Sequence, residues 1–145
     1  AGGMVGGQVL DLAAETGNPD ENEIMSMQAM KTGALLRHAC EAGAIVARAD
    51  DATICRMREF GTTIGLAFQL ADDLLDATAD AATVGKATGK DAGRNKGTYV
   101  SLNGVEKTRA RCEELVAEAC ATIAAYGSEA RLLQQAAAYI AQRTS

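Results

Sequence analysis

Across residues 54–75 the apolar positions fall at Ile54, Met57, Gly61, Ile64, Phe68, Ala71 and Leu75. The steps alternate between three and four, which is the period of one helix face. Leu66, Leu70 and Leu74 widen that face, so this helix is expected at the centre of its fold. No stretch alternates with period two over a useful length, which leaves an all-α class.

Composition agrees with helices that pack closely. Alanine is abundant, aromatics make up only 3%, Trp is absent and Pro19 is the single proline. Helices rich in small side chains approach one another easily and lose little rotamer freedom. A chain of 145 residues fits one domain or part of one. Its net charge of -5 argues against nucleic-acid binding, which needs a basic surface. No apolar run reaches the ~20 residues of a membrane span, and no signal peptide is seen. The opening AGGMVGGQV lacks an initiator Met and a helix-start signal, so a start inside a larger protein is expected.

Cys40, Cys55, Cys112 and Cys120 form no CxxC pair, and His38 is the only histidine. A zinc cluster is therefore excluded. Buried, reduced thiols in a cytoplasmic protein are expected instead. His38 reads as a structural or surface histidine rather than a ligand, and Tyr99, Tyr126 and Tyr139 read as packing residues.

Residues 3–15 form a first helix, ended by Gly17-Asn18-Pro19. Asp20 and Glu23 have capping-box spacing, and a helix is expected from there to about Arg48. Asp50 and Asp51 cap the central helix. A loop is expected over Ala77–Thr98, helical period resumes through Cys112–Ile123, and a last helix follows the break at Gly127-Ser128.

Within the central helix, FQLADDLLD sets Asp72, Asp73 and Asp76 among apolar residues. Asp72 and Asp76 are one turn apart, about 6 Å along the axis, and Gln69 shares their face. Asp73 lies about 100° round the helix. Like charges this close repel unless a cation compensates them. Oxygen ligands without His or Cys suit a hard cation, Mg²⁺ before Ca²⁺ or Mn²⁺.

A solvated acidic patch would explain the aspartates alone. The following residues favour a metal-diphosphate site. Gly85-Lys86, Gly89-Lys90-Asp91 and Asn95-Lys96-Gly97 supply cations and backbone N–H groups where a phosphate could sit. Two further groups stand out. Gln8, Asp11 and Glu15 are spaced i, i+3, i+7, and Lys31-Thr32 interrupts an otherwise apolar inward face.

In this order, GMVGGQVLDLAAE, MKTGALLRHA, IGLAFQLADDLLD, GKATGKD and NKGTYVSLNG resemble the C-terminal half of the trans-prenyl diphosphate synthases. The farnesyl and geranylgeranyl diphosphate synthases belong to that family. The resemblance covers nearly the whole chain and implies part of an isoprenoid-synthase-type helical bundle. Residues 1–145 would be the C-terminal part of one domain, with the N-terminal part elsewhere. It also implies Mg²⁺-dependent condensation of an allylic diphosphate with isopentenyl diphosphate.

By that resemblance Asp72 is a Mg²⁺ ligand, with Asp73 and Asp76 as direct or water-mediated partners. Lys31 and Lys86 hold the allylic diphosphate, and Thr32 and Gln69 lie near the allylic carbon. Phe68, Gln8 and Asp11 line the substrate site, and Lys96 lies near the cavity mouth. The family's first aspartate motif, its nearby arginines and most of the isopentenyl diphosphate site are expected upstream and have no counterpart here. The chain would then be a fragment of a longer enzyme, or one polypeptide of a split pair with the N-terminal half as a separate chain, and the complete enzyme a homodimer. The missing helices should leave the apolar faces of 54–75 and 112–123 uncovered. A non-catalytic partner subunit and a class I terpene cyclase are the rival readings. The intact aspartate motif weighs against the first, and the loop of lysines and Tyr99 against the second.

Overall fold

The computed structural model describes residues 3–14, 17, 19–84 and 98–143. Seven α-helices are described: α1 (Gly3–Ala14), α2 (Glu21–Gln28), α3 (Ala34–Val46), α4 (Asp51–Val84), α5 (Tyr99–Asn103), α6 (Val105–Thr122) and α7 (Arg131–Gln142). A π-helical turn, Ala29–Gly33, joins α2 to α3, and a 3₁₀ stretch, Ala124–Ala130, joins α6 to α7. All described regular structure is helical, as the periodicity requires.

Helix α4 has 34 residues and forms the axis of the fold. Asp50 starts it, accepting a 2.8 Å hydrogen bond from the Thr53 amide. The Thr53 contacts hold the Asp50 carboxyl below its usual pKa. One side of α4 packs against α6 and α7, the other against α3 and the π-turn.

The first side is a side-chain core. Phe60, Ile64, Ala67, Leu70 and Ala71 meet Cys112, Leu115, Val116, Ala119 and Ile123, all buried. Burial at about 25 cal/mol per Å² makes this the principal stabilising contact. The faces of 54–75 and 112–123 therefore cover each other, contrary to the expectation that both stand open. The exposed large apolar residues are elsewhere, with Met4, Val5, Val9, Leu10 and Leu12 on α1 and Leu35, Ile45 and Val46 on α3.

Local signals explain most of the boundaries. The Asp20–Glu23 capping box forms in both directions, at 2.9 Å each way. Thr98 and Ser101 make an equivalent box that starts α5 directly after the expected loop. Helix α4 likewise continues to Val84, past the expected end at Ala77. At the end of α3 the chain turns through Arg48, whose φ is 55°. The Arg48 and Ala49 amides bond back to Ile45 and Ala44 in a Schellman arrangement.

The cysteines divide. Cys112 is buried and Cys40 and Cys120 are partly so, and burial raises all three thiols above their usual pKa. Cys55 is exposed, because it faces outward on the second turn of α4. Tyr126 packs as expected, with Arg56 over its ring and its hydroxyl donating to Thr53 Oγ1. Tyr139 does not pack: it is 64% exposed on the outer face of α7.

Candidate active site

The second side of α4 positions the site. At about 100° per residue, Gly61, Gly65, Phe68, Gln69, Asp72 and Asp76 fall on one stripe of the helix. Leu70, Ala67 and Leu74 fall on the opposite face, where they are buried. That geometry lets three carboxylates sit in an apolar stretch without entering the core.

Where the stripe is glycine, backbone meets backbone. A Cβ on Gly61 would lie 2.7 Å from Arg37 Cα, and one on Gly65 would lie 2.8 Å from Gly33 Cα. Chain order shows that α3 runs antiparallel to α4, since Arg37 faces Gly61 while Gly33 faces Gly65. Lys31 and Thr32, just before Gly33, are therefore level with α4 residues beyond Gly65. That is the direction of Phe68, Gln69 and Asp72.

Lys31 and Thr32 occupy the π-turn rather than the regular helix expected over 20–48. The turn is held on its other side by α1, where Gly7 is buried against it. Asp11, one turn further along α1, accepts a hydrogen bond from Lys31 Nζ at 2.5 Å. Both side chains are about one-third exposed, at 36% and 35%. Lys31 is thus neither a snorkelling surface lysine nor buried without a counter-charge. Gln8, which follows Gly7 on α1, is half-buried.

Beyond the glycines the stripe turns acidic. Asp72 and Asp73 are half-buried and Asp76 is exposed. Arg143, just past the end of α7, donates from Nη2 to Asp72 Oδ1 at 3.4 Å. Its guanidinium also lies 5.2 Å from the centre of the Phe68 ring. Sequence reasoning missed Arg143, since 71 positions separate it from Asp72 and no local pattern links them. It also missed the glycine seam, although Gly61 and Gly65 at spacing four carried a legible signal of close helix approach.

Lys86 and Lys96, the whole basic loop 85–97 and Glu15 lie outside the described residues. Among the described residues, no group of three or more His, Cys, Asp or Glu is placed to hold a metal ion. Asp73 lies about 100° round the helix from Asp72. The donor set still fits Mg²⁺, which is commonly held by one or two carboxylates and completes its shell with water and substrate phosphate. Asp72 and Asp76 are the pair that share a face.

A profile of the polyprenyl synthetase family matches residues 1–138. The chain belongs to that family. It is 38% identical over 145 residues to a dimethylallyltranstransferase of Fischerella ambigua, covering 99% of this chain and 42% of that protein. It is 36% identical to a farnesyl diphosphate synthase of Bacillus subtilis, covering 97% of this chain and 48% of that one. The fold is similar to the crystal structure of an FPP/GFPP synthase from Zymomonas mobilis, with a TM-score of 0.79 and 43% identity. That match covers 95% of this chain and 45% of the other. The chain thus spans less than half the length of these relatives.

Proposed function

We propose that this polyprenyl synthetase chain is the C-terminal portion of a Mg²⁺-dependent trans-prenyltransferase that joins an allylic diphosphate to isopentenyl diphosphate. One observation carries the reading. The α4 stripe that seats the Lys31–Thr32 turn continues directly into Asp72 and Asp76. A cation-presenting turn and a carboxylate pair therefore lie along one line, as a metal-bound diphosphate requires.

Asp72 and Asp76 would hold Mg²⁺, with Asp73 as a water-mediated partner. Bound Mg²⁺ supplies Lewis-acid neutralisation of the charge that develops on the leaving diphosphate. Lys31 and, from the basic loop, Lys86 add charge-assisted hydrogen bonds to that group. Thr32 and Gln69 direct dipoles toward the allylic carbon as its bond to oxygen breaks. Phe68 and the apolar walls keep out water that would quench the cation. Isopentenyl diphosphate attacks, and the proton it loses passes to the departing diphosphate. Gln8 and Asp11 wall the site, and Lys96 stands near its mouth.

Activity requires the opposing half of the site, which carries a first aspartate motif and its arginines. In this reading the enzyme is cytoplasmic and its complete form is a homodimer. Lost positioning alone is worth about 7–11 kcal/mol of barrier. The test assays elongation with Mg²⁺ and both diphosphates, for the chain alone and with an N-terminal half supplied in trans. Turnover should appear only with both halves, and Asp72→Ala should lower kcat about a hundredfold or more with the fold intact. Wild-type turnover by Asp72→Ala at limiting Mg²⁺, or robust elongation by the chain alone, would overturn the reading.

A further inference from the structure

The contact between α1 and the π-turn is closer than any side chain permits. A Cβ on Gly7 would fall 2.3 Å from the Lys31 amide nitrogen and 2.7 Å from both Lys31 Cα and the Met30 carbonyl carbon. These are backbone atoms, so no rotamer change relieves the clash; α1 or the turn has to move. Gly7 and Asp11 are four residues apart and share a face of α1. The same face thus meets Lys31 twice, at its backbone through Gly7 and at its ammonium through Asp11, 2.5 Å from Nζ.

A π-turn adds a residue to the helical repeat and re-aims the side chains it carries, which is why such turns recur at functional sites. Left to itself, a five-residue π-turn has poorer hydrogen bonding than an α-helix. Here it is clamped between Gly7 on α1 and Gly65 on α4. We infer that Gly7 is a positioning residue: it seats α1 on the π-turn so that Asp11 fixes the Lys31 ammonium where a diphosphate is taken up. This rests on the proposed role of Lys31.

The test is titration calorimetry of inorganic pyrophosphate with Mg²⁺, on the chain as its source expresses it. Gly7→Ala should weaken binding about tenfold while far-UV circular dichroism is unchanged. Gly43→Ala is the control, because a Cβ there meets nothing within 4 Å, and it should bind as wild type does. A folded Gly7→Ala variant with wild-type affinity would overturn the inference. Should Gly7→Ala fail to fold, Asp11 decides the matter. Asp11→Ala, which releases the ammonium, should weaken binding at least fivefold. Asp11→Asn, which keeps an oxygen acceptor in place, should restore it to within about twofold. Tighter or equal binding by Asp11→Ala, or no rescue by Asp11→Asn, would show that Asp11 competes with the diphosphate or acts by charge alone. Either result overturns the positioning role. Undiminished binding by Lys31→Ala fails differently, since it removes the diphosphate reading itself and the inference with it.

Discussion

The two sides of α4 hold their neighbours by opposite means. Toward α6 the helix presents Phe60, Ile64, Ala67, Leu70 and Ala71, and side chains interdigitate in a buried core. Toward α3 and the π-turn it presents Gly61 and Gly65, and the backbones touch. The first contact is stabilised by the apolar area it removes from water. The second fixes a distance, because nothing lies between the chains that could yield. The candidate site residues Lys31, Thr32, Gln69 and Asp72 lie along the second side. A core tolerates some repacking, whereas a backbone seam does not, so the candidate site is built where register is set most tightly.

The largest expected effect breaks the first side. Leu70 is fully buried, and Leu70→Ala should destabilise the fold by about 2–5 kcal/mol. Chemical denaturation should show the loss as a lower midpoint; an unchanged midpoint would mean that α4 and α6 are not joined through this core. The next breaks the second side. Gly65→Val places branched carbons against Gly33, whose Cα is 2.8 Å from even the first of them. Overpacking of that kind costs about 1–3 kcal/mol, against a few tenths regained from valine's better helix propensity. The same denaturation experiment should therefore show a smaller loss than Leu70→Ala, and a variant as stable as wild type would remove the seam from the account.

The smallest effect sharpens the comparison where the two sides meet, at Arg143. Its hydrogen bond to Asp72 is long and both groups are partly exposed. Exposed pairs of this kind are worth about 0.2–1 kcal/mol. If Asp72 holds Mg²⁺ as proposed, the ion has to displace or share that contact, so Arg143→Gln should raise affinity for Mg²⁺ about two- to fivefold. Calorimetry with the metal alone reads this directly, and unchanged or weaker affinity would count against a competing role for Arg143.

Much of this architecture was legible because apolar spacing and caps are local. The three-four alternation marked α4 as the central helix, although it grouped Gly61 and Phe68 of the site stripe with core residues, and Asp20 with Glu23 gave the start of α2. The π-turn was not legible. Four residues per step is compatible with both α and π geometry, so AMKTG reads as ordinary helix until Gly7 and Gly65 are seen to clamp it. The end of α4 was misjudged because TADAATV lost its apolar period while keeping good helix formers. In the candidate site, Gln69, Asp72 and Asp76 could be placed on one face from spacing alone. The Asp11–Lys31 pair and the Arg143–Asp72 pair could not, since each depends on how separate helices dock. The apolar residues on the outer face of α1 are also unexplained by periodicity within this chain.

The uneven burial of the cysteines has a practical consequence for watching the site at work. Cys55 opens to solvent, while burial suppresses thiolate formation at Cys40, Cys112 and Cys120. A maleimide fluorophore should therefore attach at Cys55 before the others. At 1.5 Å per residue, that label sits about 26 Å from Asp72 along the same rigid rod. It is far enough away to leave the candidate site undisturbed, and within range for energy transfer to a second dye placed near that site.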